Sequence, residues 1–189
     1  MAIYNTDSDA ANTAVRAYLT KVGEFYLGSA FNTSTGKAKT VWRKIQTDVF
    51  AGCCAYCGEA AEKMTIEHLI MFNRTDFGLH HPGNIVPACK ECNQSRRVQN
   101  GRYPLWEEQL RQRCETTNTV AAFPERKRRI LDHHTKGEFA YPKLTKEESS
   151  AIKVIAESIY RSVQMEIEKG LGLYKRLDAE FVGKQEDRG

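Results

Sequence analysis

Four cysteines in two Cys-x-x-Cys pairs, Cys54 with Cys57 and Cys89 with Cys92, bracket the stretch of this chain that is richest in reactive side chains. Between and beside them stand Glu67, His68, Asn84 and Asn93. Thiolates suit a soft tetrahedral ion such as Zn²⁺, and a carboxylate with carboxamides suits a hard divalent cation. An imidazole, with an ordinary pKa of about 6.5, suits proton transfer at neutral pH. The matched spacing of the pairs, with Gly58 after the first and a helix-compatible run after the second, predicts a four-cysteine Zn²⁺ site. The 31 residues between Cys57 and Cys89 exceed the usual zinc-ribbon loop. By the logarithmic closure law that excess costs only about 0.5 kcal/mol. A structural zinc contributes roughly 10 to 16 kcal/mol in small modules, so the metal term dominates.

These groups need elements to carry them. Residues 64–70 read as a short strand, and the loop MFNRTDFGLHHPG follows. NIVPA is a second strand that Pro87 confines to an edge, and a helix opens at Lys90. Adjacent strand residues point to opposite faces, so Glu67 and His68 share one site only near a strand end. On the N-terminal side, apolar residues recur at helical spacing from Ser8 to Leu27 behind a cap at Asp7 or Ser8, and a second helix around Trp42, Ile45 and Val49 ends near Gly52. Downstream, Pro104 is placed to open a helix, and a short helix ERKRRILDHH follows Pro124. Thr145 with Glu148 forms a capping box for a long last helix whose stripe is Ile152, Ile155, Ile159, Val163 and Ile167, broken or kinked at Gly170 and Gly172. The expected class is α+β and mostly helical. A central ββα hairpin-helix module stapled by zinc (53–100) lies between an N-terminal helical scaffold (1–52) and a basic helical segment with the long C-terminal helix (101–189).

Cys54-Ala-Tyr-Cys57-Gly, Ile66-Glu67-His68-Leu-Ile, Gly83-Asn84-Ile-Val-Pro and Cys89-Lys-Glu-Cys92-Asn93-Gln-Ser-Arg96 together resemble the zinc-containing HNH endonucleases, the ββα-metal class. The resemblance covers about residues 42 to 100. It implies that His68 is the general base for water attacking a phosphodiester and that Asn84 steadies the hairpin and that base. It also implies that Glu67 and Asn93 hold a catalytic Mg²⁺ or Mn²⁺, with glutamate standing where aspartate is commonest. Arg96, at a spacing where the family often carries arginine or lysine, is expected to grip a neighbouring phosphate bidentately, with Arg97 beside it. His80 and His81 are read as exposed loop histidines, and His133 and His134 as residues compatible with a helix C-terminus.

The net charge of +4 is uneven: residues 86–136 hold eleven cations against six anions, while residues 53–85 are net negative. A phosphate-bearing partner, DNA, is therefore expected along Arg97, Arg102, Arg126, Lys127, Arg128 and Arg129. No apolar run approaches the roughly 18 residues of a membrane span, and the N-terminus has no signal-peptide pattern, so a cytoplasmic location is expected. A setting in restriction or phage defence follows from the family resemblance, a homodimer would suit cutting both strands with one site per chain, and a nuclease subunit that needs a partner protein is a further reading. A zinc-ribbon module that binds nucleic acid or protein without cutting explains the cysteines equally well. The joint presence of Glu67, His68, Asn84 and Asn93 separates the two readings.

Overall fold

The computed structural model describes residues 6–96 and 102–182. The chain is mostly helical around one small antiparallel hairpin. Helix α1 (Asp7–Leu27) starts at Thr6, whose hydroxyl accepts from the Asp9 N–H, one position before the expected cap. Helix α2 (Gly36–Lys44) begins earlier than the apolar pattern suggested and runs into a wider π-turn over Ile45–Val49. Strands β1 (Thr65–His68) and β2 (Ile85–Ala88) pair with Glu67 opposite Val86 and His68 opposite Ile85. Helix α3 (Lys90–Ser95) follows at once.

Helix α4 (Trp106–Thr116) starts two residues after Pro104. The Glu108 carboxylate, held by Arg102, accepts the Leu105 N–H and fixes the start there, while the Pro104 carbonyl is used by Arg96. Helix α5 (Phe123–Thr135) carries Pro124 in its first turn, where a missing N–H costs nothing. Helix α6 (Lys146–Leu177) opens with both bonds of the Thr145–Glu148 capping box. It runs unbroken through Gly170 and Gly172, so the expected interruption does not occur. Its buried face is Ile152 and Ala156, continued by Ile159 and Tyr160, while Ile155 is 45% exposed; a 3.6-residue period turns position 155 away from α1.

Two apolar clusters hold the chain together. One surrounds the cysteines and contains Phe31, Ile45, Phe50, Tyr56, Leu69, Ile85, Val86, Leu110 and Ile130. The other lies between α1 and α6 and contains Val15, Leu19, Ile152 and Ala156. Leu79, from the loop after β1, is inserted into this second cluster and is fully buried. The helices run antiparallel, since Tyr26 donates to Glu148 at one end and Tyr160 reaches Ser8 at the other. No described helix is long and apolar enough to cross a membrane.

Candidate metal centre and hydrolytic site

The sulfur atoms of Cys54, Cys57, Cys89 and Cys92 all lie within 4.8 Å of one another. Cys57 Sγ and Cys89 Sγ are 3.9 Å apart, close to the ~3.8 Å edge of a tetrahedron with Zn–S bonds of about 2.3 Å. The cluster shares its protons unequally: the Cys54 pKa is pulled down to about 4, first by the Cys92 thiol and, against burial, by backbone N–H groups of Cys57, Cys89 and Tyr56, while burial pushes Cys57 up and the Cys54 sulfur pushes Cys92 up. Soft ligands and tetrahedral spacing both fit zinc. The frame is tied to later helices, because Gln109 Nε2 donates to the Cys92 carbonyl and Arg126 donates to the Tyr56 carbonyl. Cys53, with its thiol on the Ala51 carbonyl, lies outside the cluster.

The hairpin presents two faces. Glu67 points inward and is 5% exposed. Arg96 Nη1 pairs with its Oε1 at 2.7 Å, and the same guanidinium donates to the carbonyls of His68, Leu69 and Pro104. Burial raises the Glu67 pKa, opposed by Arg96. The phosphate-gripping role expected of Arg96 is therefore corrected: its donors are used inside the protein, and it positions β1 and the chain after it. Asn93 Nδ2 donates to Thr65 Oγ1 and the Ile66 carbonyl, pinning α3 to β1. One Glu67 oxygen and the Asn93 carboxamide oxygen take no hydrogen bond among the described residues, and both are hard donors of the kind Mg²⁺ or Mn²⁺ uses.

His68 closes β1 and faces the other way, into a cleft of about 460 Å³ walled by Thr20 and Glu24 of α1, Phe31, Ile66, Phe72 and His80. Its Nε2 lies 3.0 Å from His80 Nδ1, and its ring stacks on Phe72 with centroids 4.9 Å apart. Desolvation, then the charges of His80 and Arg96, push its pKa down to about 3, so the ring is neutral at neutral pH. Asn84 is fully buried behind the site. Its side chain accepts from the Ile70 N–H and donates to the carbonyls of Ile70 and Leu79, closing the neck of the loop that leaves His68 and returns to His80.

Two loop histidines depart from their expected exposure, while His133 and His134 sit in the last turn of α5 as expected but bond across to another turn. His80 is engaged with His68, and His81 is 3% exposed, its Nδ1 accepting the Gly83 N–H. His133 Nε2 lies 3.2 Å from the Pro82 carbonyl and 3.0 Å from that of Ile85, and His134 Nδ1 lies 2.8 Å from that of Gly83. They clamp the turn before β2. The signal that could have found them is Gly83: a Cβ there would lie 2.3 Å from the Phe139 oxygen and the Tyr141 nitrogen, so the turn is pressed against the strap after α5.

The expected basic grip is largely occupied by internal partners. Arg102 is bidentate to Glu108, Lys127 pairs with Glu107 at 2.6 Å, and Arg129 pairs with Glu125 at 2.7 Å. Arg126 is turned inward onto Tyr56, Thr119 and Cys114. Arg128 is exposed with no ion pair or hydrogen bond among the described residues, and Arg97 lies outside them. The sequence shows the balance of cations and carboxylates but not which of them meet in three dimensions.

No curated protein and no solved structure matches the chain. The family model for HNH endonuclease matches residues 54–99, which spans both cysteine pairs, β1, β2 and α3. Fold, cysteine cluster and family match agree: residues 54–99 carry an HNH-family match, in an α+β chain whose four cysteines fit a zinc site.

Proposed function

We propose that the protein is a metal-dependent endonuclease or nickase that hydrolyses DNA phosphodiester bonds with His68 as general base. The observation that carries this reading is the placement of His68 at the end of a zinc-framed strand, half-buried yet lining an open cleft. A neutral imidazole there can take a proton from water as the water oxygen bonds to phosphorus and the P–O3′ bond breaks. The products are a 5′-phosphate and a 3′-hydroxyl, and solvent supplies the proton to the leaving oxygen. Mg²⁺ or Mn²⁺, held through oxygens of Glu67 and Asn93, would neutralise charge at the scissile phosphate. Arg96 pairs with the buried Glu67 carboxylate and opposes the rise in pKa that burial causes, and Asn84 keeps the loop beside the base in register. Arg128 is the nominated cation best placed to meet a phosphate, since its charge is not already paired.

A plasmid-relaxation assay with Mg²⁺ and with Mn²⁺ tests the reading. His68→Ala should lower the rate by about 10²- to 10⁴-fold, the usual contribution of a general base. Equal rates for wild type and variant would sink the proposal. The same gel separates a nick from a linear product, and a linear product points to two copies acting together.

A further inference from the structure

The nominated base does not stand alone. His68 Nε2 is already met by His80 Nδ1 at 3.0 Å, while His68 Nδ1 has no hydrogen bond among the described residues. Two neutral imidazoles can share that contact in two ways. If His80 donates, the Nε2 lone pair of His68 is used up and its Nδ1 carries the proton, leaving no base. If His68 donates from Nε2, its Nδ1 lone pair is free for water, and His80 must carry its own proton on Nε2.

We propose that His80 is the positioning residue of the hydrolytic site: it accepts the His68 Nε2–H hydrogen bond and so fixes the tautomer in which His68 Nδ1 takes the proton of the attacking water. This rests on the general-base reading of His68. When Nδ1 takes that proton the ring becomes an imidazolium, and its Nε2–H bond to His80 becomes charge-assisted and stronger. His80 thus helps most at the moment the proton moves.

The fold holds His80 firmly enough for that role. Its backbone neighbour Leu79 is buried between α1 and α6, with its N–H on the Tyr141 hydroxyl and its carbonyl on Asn84. Helix α1 lies directly on the His80 backbone: a Cβ on Gly23 would come within 2.3 Å of the His80 oxygen. The His80 ring also packs against Phe31 and Phe72, with centroids 5.1 and 5.5 Å away, and Glu24 of α1 lines the same cleft. The N-terminal helix is therefore a wall of the site as well as a scaffold.

The test uses the full zinc-loaded chain. Long-range ¹H–¹⁵N spectra of the imidazoles should show His68 as the Nε2–H tautomer in wild type and a mixture in His80→Ala. His80→Asn, which keeps an acceptor oxygen near the Nδ1 position, should restore the Nε2–H form. In the cleavage assay His80→Ala should lower kcat by about 10- to 100-fold with KM little changed, and His80→Asn should recover most of it. An Nδ1–H tautomer of His68 in wild type, or a kcat of His80→Ala within twofold of wild type, would overturn the proposal. If the wild type cuts no DNA, the nuclease reading fails while the spectra still decide the hydrogen bond.

Discussion

The two halves of this molecule stabilise themselves by different physics. Around the cysteines an apolar cluster also encloses polar and charged groups: four sulfurs, the Glu67–Arg96 pair, Asn84 and two clamping histidines all lie in or against the core, each with partners. Between α1 and α6 the interior is Val15, Leu19, Leu79, Ile152 and Ala156, a purely apolar seam with hydrogen bonds only at its margins. The first kind of core fixes atoms to within a hydrogen-bond length and fails sharply when one partner is lost. The second tolerates adjustment. The proposed hydrolytic site sits on their boundary, with His68 from the first half and part of the wall of its cleft from the second.

The sharpest way to break this contrast is to remove the metal. Chelation, or Cys92→Ala, should unfold the Cys54–Ser95 region, because roughly 10 to 16 kcal/mol of zinc binding exceeds the usual total stability of a domain. Hydrogen exchange should show amide protection lost in β1, β2 and α3, and full protection of β1 without zinc would refute the dependence. A smaller but still large effect is expected from Arg96→Met, which leaves Glu67 buried and unpaired: a loss of about 3 to 5 kcal/mol by urea denaturation, partly reversed by adding Glu67→Gln. A loss below about 1 kcal/mol would mean that the pair is not the strut described here.

Acid should weaken the polar half first. Burial pushes His81 down to about 4 and also lowers His133 below the roughly 6.5 of an unfolded chain. The unfolded state therefore binds more protons in that window. Stability should be level above pH ~6.5 and fall as pH drops from there toward about 4, by up to about 1.4 kcal/mol per pH unit for each such histidine. Urea midpoints at several pH values, with zinc retention monitored, check the sign; a midpoint that rises on acidification contradicts it. The smallest effects come from two glycines of the apolar half. Gly23→Ala forces α1 off the His80 backbone and should cost about 1 to 3 kcal/mol. Gly170→Ala, in open space on α6, should gain up to about 1 kcal/mol. Thermal melts of the pair should move in opposite directions.

Local features were legible in the sequence. The cysteine spacing, the order strand, loop, strand, helix and the Thr145–Glu148 box depend on residues a few positions apart, and they appear as read. Pairings made by folding were not. Arg96 meets Glu67 across 29 positions, and His133 meets the turn before β2 across about 50. The glutamates of the basic segment were visible, but not that Glu107, Glu108 and Glu125 would each take one of its cations. The His68–His80 contact was hidden for a related reason: a loop histidine looks solvated until a glycine on a distant helix is seen to press on its backbone.

The Asn84 staple has a consequence for how this chain can be altered. Because the side chain ties Ile70 to Leu79, the segment between them is a ring closed at its neck, with Arg74, Thr75 and Asp76 exposed at its far side. Doubling the length of such a ring costs only about 0.6 kcal/mol. Residues 74–76 are thus a natural insertion point, where a tag or a reporter peptide would hang from the surface while the two imidazoles below the neck stay where they are.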